Sequence, residues 1–220
     1  MTTVKIDEEL KAKCPRVALA CVTAEVETGA TSEGLDQELR GSEERVLKLA
    51  EPKAVLEAAA ILAARAGYKT LGKDPARYRG SAEALLRRVI AGKGLPRINN
   101  VVDAINLVSV ESRLPVGLYD LSHVHGDIIF RAGRAGETYK GIGKYDLNLE
   151  GLPVFSDAAG PHGSPTSDSE RTMVTLATKQ VIAIIISFGG PETLPRWGRQ
   201  MIEILQKHAS GKSIQIEITS

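Results

Sequence analysis

Cysteine is nearly absent from this chain: Cys14 and Cys21 are the only two in 220 residues, seven apart, with neither CxxC nor Cys/His spacing. That excludes a cysteine zinc site or a disulfide framework and leaves buried or incidental thiols. An excess of one charge is missing too. Lys and Arg number 28 against 27 Asp and Glu, a net charge of +1, so any contact with nucleic acid must be a local patch. The longest apolar run, VIAIIISF at 181–188, is too short to span a bilayer. The opening MTTVKIDEELKAK is charged and has no secretory h-region. A soluble, cytoplasmic protein with no membrane partner is therefore expected.

Several catalytic signatures are also missing. No GxxxxGK[ST] loop occurs; the nearest glycine cluster, GIGK at 141–144, has the wrong spacing and reads as a β-turn. No GxSxG elbow occurs. His162, Ser164, Asp168 and Ser169 share one loop, but a triad draws its members from separate elements. His123 and His125 have the i, i+2 spacing that would place two imidazoles on one strand face, yet a third ligand is not evident. Neither a metal nor another cofactor is expected, and there is no internal repeat.

What is present is enough apolar residue, 43%, to bury a core as one large or two small domains. VALACVTAEVE (17–27) suits a mostly buried strand. Leu35, Leu39, Val46 and Leu49 set among charges make an amphipathic helical pattern, interrupted near Gly41-Ser42. Pro52 starts AVLEAAAILAARAG, an alanine-rich helix ending at Gly67. Ser81 is placed as the N-cap of a helix carrying Leu85, Leu86, Val89 and Ile90, stopped by Gly92, Gly94 and Pro96. A further helix spans roughly Asn100 to Ser112, with Asn106 beside its apolar face. Beyond it, glycines punctuate DIIFRA, GETYKGI and GLPVFSD, which read as strands. A Pro/Ser/Gly loop (157–170) precedes two more strand candidates, RTMVTLAT and VIAIIISF. Pro191 precedes a helix bearing Trp197, and SIQIEITS closes as an alternating strand. Helices early and strands late predict an α+β fold.

Arg77, Tyr78, Arg79, Arg87, Arg88, Lys93 and Arg97 put seven basic or aromatic positions within 21 residues. Such a cluster can contact phosphates, and a tyrosine can stack on a base. Long basic side chains are equally usual on a solvated helix face.

Between Asp74 and Asp127 the sequence resembles a known family. Val101-Val102-Asp103-Ala104-Ile105-Asn106, followed by Pro115-Val116-Gly117-Leu118-Tyr119-Asp120-Leu121, is similar to the Val-Val-Asp-x-Thr-Asn helix and Pro-x-His-Ala-Phe-Asp-Leu loop of the B3/B4 domain of the phenylalanyl-tRNA synthetase β subunit. GDIIFRAGRAGETY resembles that family's strand, turn and Gly-Glu-Thr segment. The likeness is best over 81–183 and looks most like free-standing B3/4 proteins, with both termini completing one domain over 1–220. It implies a compact, layered α+β domain with a largely antiparallel β arrangement.

In the synthetase this domain hydrolyses tyrosine wrongly attached to tRNA. The resemblance therefore implies a stand-alone editing-like protein that binds an aminoacylated tRNA end and removes a mischarged amino acid. A chain of this length is not expected to form phenylalanyl-tRNA by itself. Asn106 matches a pocket Asn, whereas Ile105 and Gly117 replace a Thr and a His, removing two polar groups that help to tell tyrosine from phenylalanine. Ester hydrolysis asks for a positioned water and oxyanion donors. His162, with an imidazole pKa near ~6.5, is suited to orient or deprotonate that water, and Asn106 to hold the amino acid. Asn100, Gly117, Tyr119, Ser156, Asp157, Ser164 and Asp168 are further candidates for substrate binding, turn formation being the other reading of the loop residues. Arg77, Tyr78, Arg87, Arg88 and Lys93 are the RNA-binding candidates. The alternatives are a non-catalytic module binding RNA, an amino acid or a small metabolite, and a basic cluster that docks RNA beside a vestigial pocket.

Overall fold

The computed structural model describes residues 2–143 and 145–220; Lys144 of the GIGK segment lies outside them. In chain order the elements are β1 (Val4–Ile6), α1 (Glu8–Lys13), β2 (Ala18–Glu25), α2 (Glu33–Leu47), α3 (Ala59–Thr70), α4 (Ser81–Ile90), α5 (Asn100–Ser112), β3 (Val116–Asp120), β4 (Ile128–Ala132), β5 (Thr138–Lys140), β6 (Asp146–Asn148), β7 (Pro153–Asp157), β8 (Gly160–Gly163), β9 (Gln180–Ser187), α6 (Leu194–Ala209) and β10 (Lys212–Thr219). One sheet has the order β10-β2-β9-β3, all antiparallel. A second has the order β1-β4-β7-β8, with only β1 and β4 parallel. β5 and β6 form a separate antiparallel pair. This is the α+β, largely antiparallel arrangement expected.

The first sheet is covered on both faces. Ala18, Ala20 and Val22 of β2, with Val181, Ala183 and Ile185 of β9, pack against the helical layer of α2, α4, α5 and α6. Leu19 and Cys21, with Ile182, Ile184 and Ile186, face Ile128, Phe130 and Phe155 of the second sheet. Strands buried on both faces have no polar side to alternate with, which is why VALACVTA and VIAIIIS read as continuous apolar runs.

Local chemistry sets many of the boundaries. Asp7, Ser32 and Asn99 cap α1, α2 and α5 by accepting from backbone N–H groups of the first turn. Gly92 and Gly94 follow α4 at φ 72° and 61°, a region that only glycine enters without strain, and so turn the chain. Among the described residues no helix is long and apolar enough to cross a membrane.

Several expectations need correction. α2 runs through Gly41-Ser42 without a break, because Ser42 is buried against the core while Gly41 meets only the Arg45 side chain. The alanine-rich segment is two elements, a 3-10 helix at Pro52–Glu57 and then α3, joined by extended Ala58. α3 also continues past Gly67, where a Cβ would overlap the Phe188 ring; that glycine serves close packing and not helix termination. Ser81 is the first residue of α4 rather than its cap, which is Gly80, and its hydroxyl accepts from the Val116 N–H. RTMVTLAT forms a 3-10 turn at Glu170–Thr172 and irregular chain, not a strand. Conversely, the 157–170 loop contains β8, with His162 on it.

Candidate functional site

His162 and Tyr119 meet between the two sheets. Tyr119 projects from β3 into that layer, its ring edge-on to His162 with centroids 4.5 Å apart and planes at 88°. Its hydroxyl donates to Asp168 Oδ1 at 3.0 Å. Gly117, two residues back on the same strand face, and Gly163 on β8 leave room for the phenol; a Cβ at either position would overlap it. The Tyr119 side chain thus fills the space above Gly117, where the resembling family carries a histidine. Burial pushes the Tyr119 phenol well above its usual range, and the adjacent Asp168 charge adds to this.

His162 is fully buried, and neither ring nitrogen has a hydrogen-bond partner among the described residues. Burial, partly opposed by the Asp157 charge and assisted by the Arg171 guanidinium, lowers its pKa from 6.5 to about 4. A neutral imidazole without access to water has nothing to deprotonate.

Asn106 lies elsewhere. It is half-buried on α5, whose apolar face packs on the opposite side of the first sheet. The sheet therefore separates Asn106 from His162 and Tyr119, and the three do not converge. Asn100, at the start of α5, is committed to backbone: its Oδ1 accepts from Gly29 N–H, and its Nδ2 donates to the carbonyls of Glu27 and His208, all at 2.8 Å. Ser156 accepts from Arg131, which in turn forks onto Glu137. The Asp157 carboxylate is fully buried against Arg171 and also accepts from the His125 and Ala159 N–H groups. Burial opposes its ionisation, but those hydrogen bonds prevail and hold it below the usual carboxylate range. Ser164 closes a turn by accepting from Thr166 and Ser167 N–H and donating to the Ser167 carbonyl.

The basic candidates are brought together. Arg77 and Arg79, from the turn before α4, join Arg87, Arg88 and Lys93 from its end around an open groove of about 380 Å³. Ala84, Ala91 and Thr166 complete its lining, which contains no carboxylate. A second groove of about 390 Å³ adjoins it, sharing Arg79 and Arg87 and adding Arg65, Lys69, Asp74 and Glu83. A larger groove, about 770 Å³ among α2, α5 and α6, mixes Arg45, Arg196, Arg199 and Lys207 with Glu38, Glu111 and Glu203, and so offers no single sign of charge.

Two arginines of this surface are held in place. Arg88 Nε donates to the Gly94 carbonyl at 3.2 Å, across the end of α4. Arg87 is paired with Glu83, whose nearly buried carboxylate also takes two hydrogen bonds from Arg65. Burial works against ionisation of Glu83, but the two guanidiniums overcome it and keep its carboxyl below the usual range. Tyr78 is half-buried, with Lys73 and Arg77 near its ring at 5.5 and 5.6 Å, and it does not line the groove. The i, i+4 spacing of Glu83 and Arg87 was visible in the sequence, whereas the part of Arg65, from another helix, was not. His123 and His125 are exposed, and no cluster of three potential metal ligands occurs among the described residues.

Fold and surface together define an α+β domain of two stacked sheets and a helical layer, with one concentrated cationic groove. The family model of the B3/4 domain matches residues 63–195, and the chain belongs to that family. It is 27% identical over 120 residues to the phenylalanine–tRNA ligase β subunit of Chromobacterium violaceum, covering 54% of this chain and 15% of that one. It is 31% identical over 104 residues to the same subunit of Paramagnetospirillum magneticum, covering 46% and 13%. The chain therefore matches only a small part of these relatives. An N-terminal fragment of the phenylalanyl-tRNA synthetase β subunit from Pyrococcus horikoshii has a similar fold, with a TM-score of 0.52 and 18% identity over 100% of this chain and 50% of that one.

Proposed function

We propose that this protein is a non-catalytic RNA-binding module, whose ligand is a tRNA or an aminoacylated RNA held at the groove beside α4. The observation that carries this reading is the carboxylate-free groove, where five cations collect in a chain whose net charge is only +1. Phosphate neutralisation by such a patch supplies affinity without needing a basic protein overall. The family relation supports tRNA as the RNA, since the relatives are subunits of a tRNA ligase.

Hydrolysis of a mischarged ester is not part of this reading. What supports leaving it out is the burial of the His162 imidazole and its place on the other side of the first sheet from Asn106. Two measurements test the proposal. Filter binding of labelled tRNA is expected to show saturable, salt-sensitive binding that weakens in the Arg77→Gln/Lys93→Gln variant. Incubation with mischarged tRNAs is expected to release amino acid no faster than buffer; faster release, abolished by His162→Ala, would restore the editing reading.

A further inference from the structure

We infer that the groove beside α4 takes the phosphate backbone of a base-paired RNA stem and reads no bases, an inference that rests on the RNA-binding reading above. The floor of the groove consists of Ala84 and Ala91, about two turns apart on α4 and its continuation, with Arg88 between them on the same face. Two methyl groups make a shallow floor along which a ribose-phosphate strand rides close, and they form no pocket for an unstacked base. Proteins that grip single strands place aromatic rings under successive bases. No aromatic residue lines this groove. Tyr78, the nearest in sequence, is half-buried with Arg77 and Lys73 near its ring, and Trp197, on α6, has Arg196 over its ring at 4.9 Å.

The walls have the opposite character. Arg77, Arg79, Arg88 and Lys93 have no carboxylate within ion-pair distance among the described residues, whereas the charge of Arg87 is shared with Glu83. Arg88 is fixed across the end of its helix, so little order is lost when a phosphate arrives. The adjoining groove shares Arg79 and Arg87 but also carries Asp74 and Glu83, so of the two only the groove beside α4 is free of carboxylates. A group of uncompensated cations over a smooth, non-aromatic floor suits the continuous phosphate backbone of a helical stem, where the bases are already turned inward.

Fluorescence anisotropy with a 16-base-pair RNA duplex and its two separated strands tests this with the intact protein. The duplex is expected to bind at least tenfold more tightly than either strand, with equal affinity for a duplex of scrambled sequence. Four engaged cations predict that log K falls by about 3 to 4 per tenfold rise in salt. Lys93→Gln and Arg77→Gln, both at exposed positions, are expected to lower that slope by about 1 each. Tighter binding of a single strand, or strong dependence on duplex sequence, would overturn the stem inference and leave RNA binding standing. No binding of any of the three probes would overturn both.

Discussion

Replacing His162 by Leu is expected to remove most of the acid sensitivity of this fold between pH 6.5 and 4 without weakening it at pH 7. The folded imidazole keeps a pKa of about 4 because it is buried without a partner, while the unfolded chain takes up the proton near 6.5. Over that window the unfolded state binds more protons, so stability rises with pH and is lost as pH falls towards 4. At about 1.4 kcal/mol for each tenfold change, the gap amounts to about 3 kcal/mol at pH 4. The neighbouring Asp157, held below the usual carboxylate range against Arg171, loses its contribution only at still lower pH. At pH 7 the two unsatisfied ring nitrogens already cost the native state about 1–3 kcal/mol. A leucine there is expected to equal or exceed the wild type. Urea denaturation from pH 4 to 7.5 reads both effects: the two curves of stability against pH should coincide or favour Leu at neutrality and diverge by about 3 kcal/mol at pH 4. Parallel curves, or a His162→Leu protein that fails to fold at pH 7, would refute the account of His162 as a buried neutral group.

Three other changes probe the packing and polar networks. Gly163→Ala places a Cβ into the Tyr119 ring and is expected to cost about 1–3 kcal/mol by thermal or chemical melting. That cost should shrink in the Gly163→Ala/Tyr119→Leu double variant, and strict additivity would count against the steric explanation. Asn100→Ala orphans the Gly29 N–H and two carbonyls that tie the start of α5 to the 27–29 segment and to the end of α6; denaturant melting should register a loss of about 3 kcal/mol. Glu83→Gln leaves Arg65 and Arg87 facing a neutral group; with both arginines partly solvated the cost is expected to be about 2 kcal/mol, below that of a fully buried pair. The same variant is expected to strengthen RNA binding modestly in filter assays, because Arg87 becomes a fifth uncompensated cation.

The legible part of this protein was whatever depends on neighbours in the chain. The bounds of α5 followed from an apolar stripe and the change of character after Ser112. β2 and β9 were evident because a strand covered on both faces must be apolar throughout. The basic cluster could be seen as a cluster, since its members lie within 21 residues and α4 carries two of them. β8 was hidden, because Gly160, Pro161 and Gly163 carry no strand propensity and the strand exists only through pairing with β7. RTMVTLAT was misread for the converse reason: its β-branched residues found no partner strand.

The candidate catalytic pair shows most clearly where sequence stops. Asn106 and His162 are both plausible polar residues in a recognisable family context, and nothing local states that a sheet lies between them. That separation depends on which face of β3 and β9 each packs against, a matter of parity: Leu118 and Ala183 turn to the helices, Tyr119 and Ile182 to the second sheet. The sequence alone determined the fold class, the family and the presence of a cationic segment, because helix periodicity, turn chemistry and charge are properties of short stretches. Only the tertiary structure decided that His162 is a buried neutral group beneath Tyr119 and that the cations enclose one groove, because burial and convergence come from contacts between residues far apart in the chain.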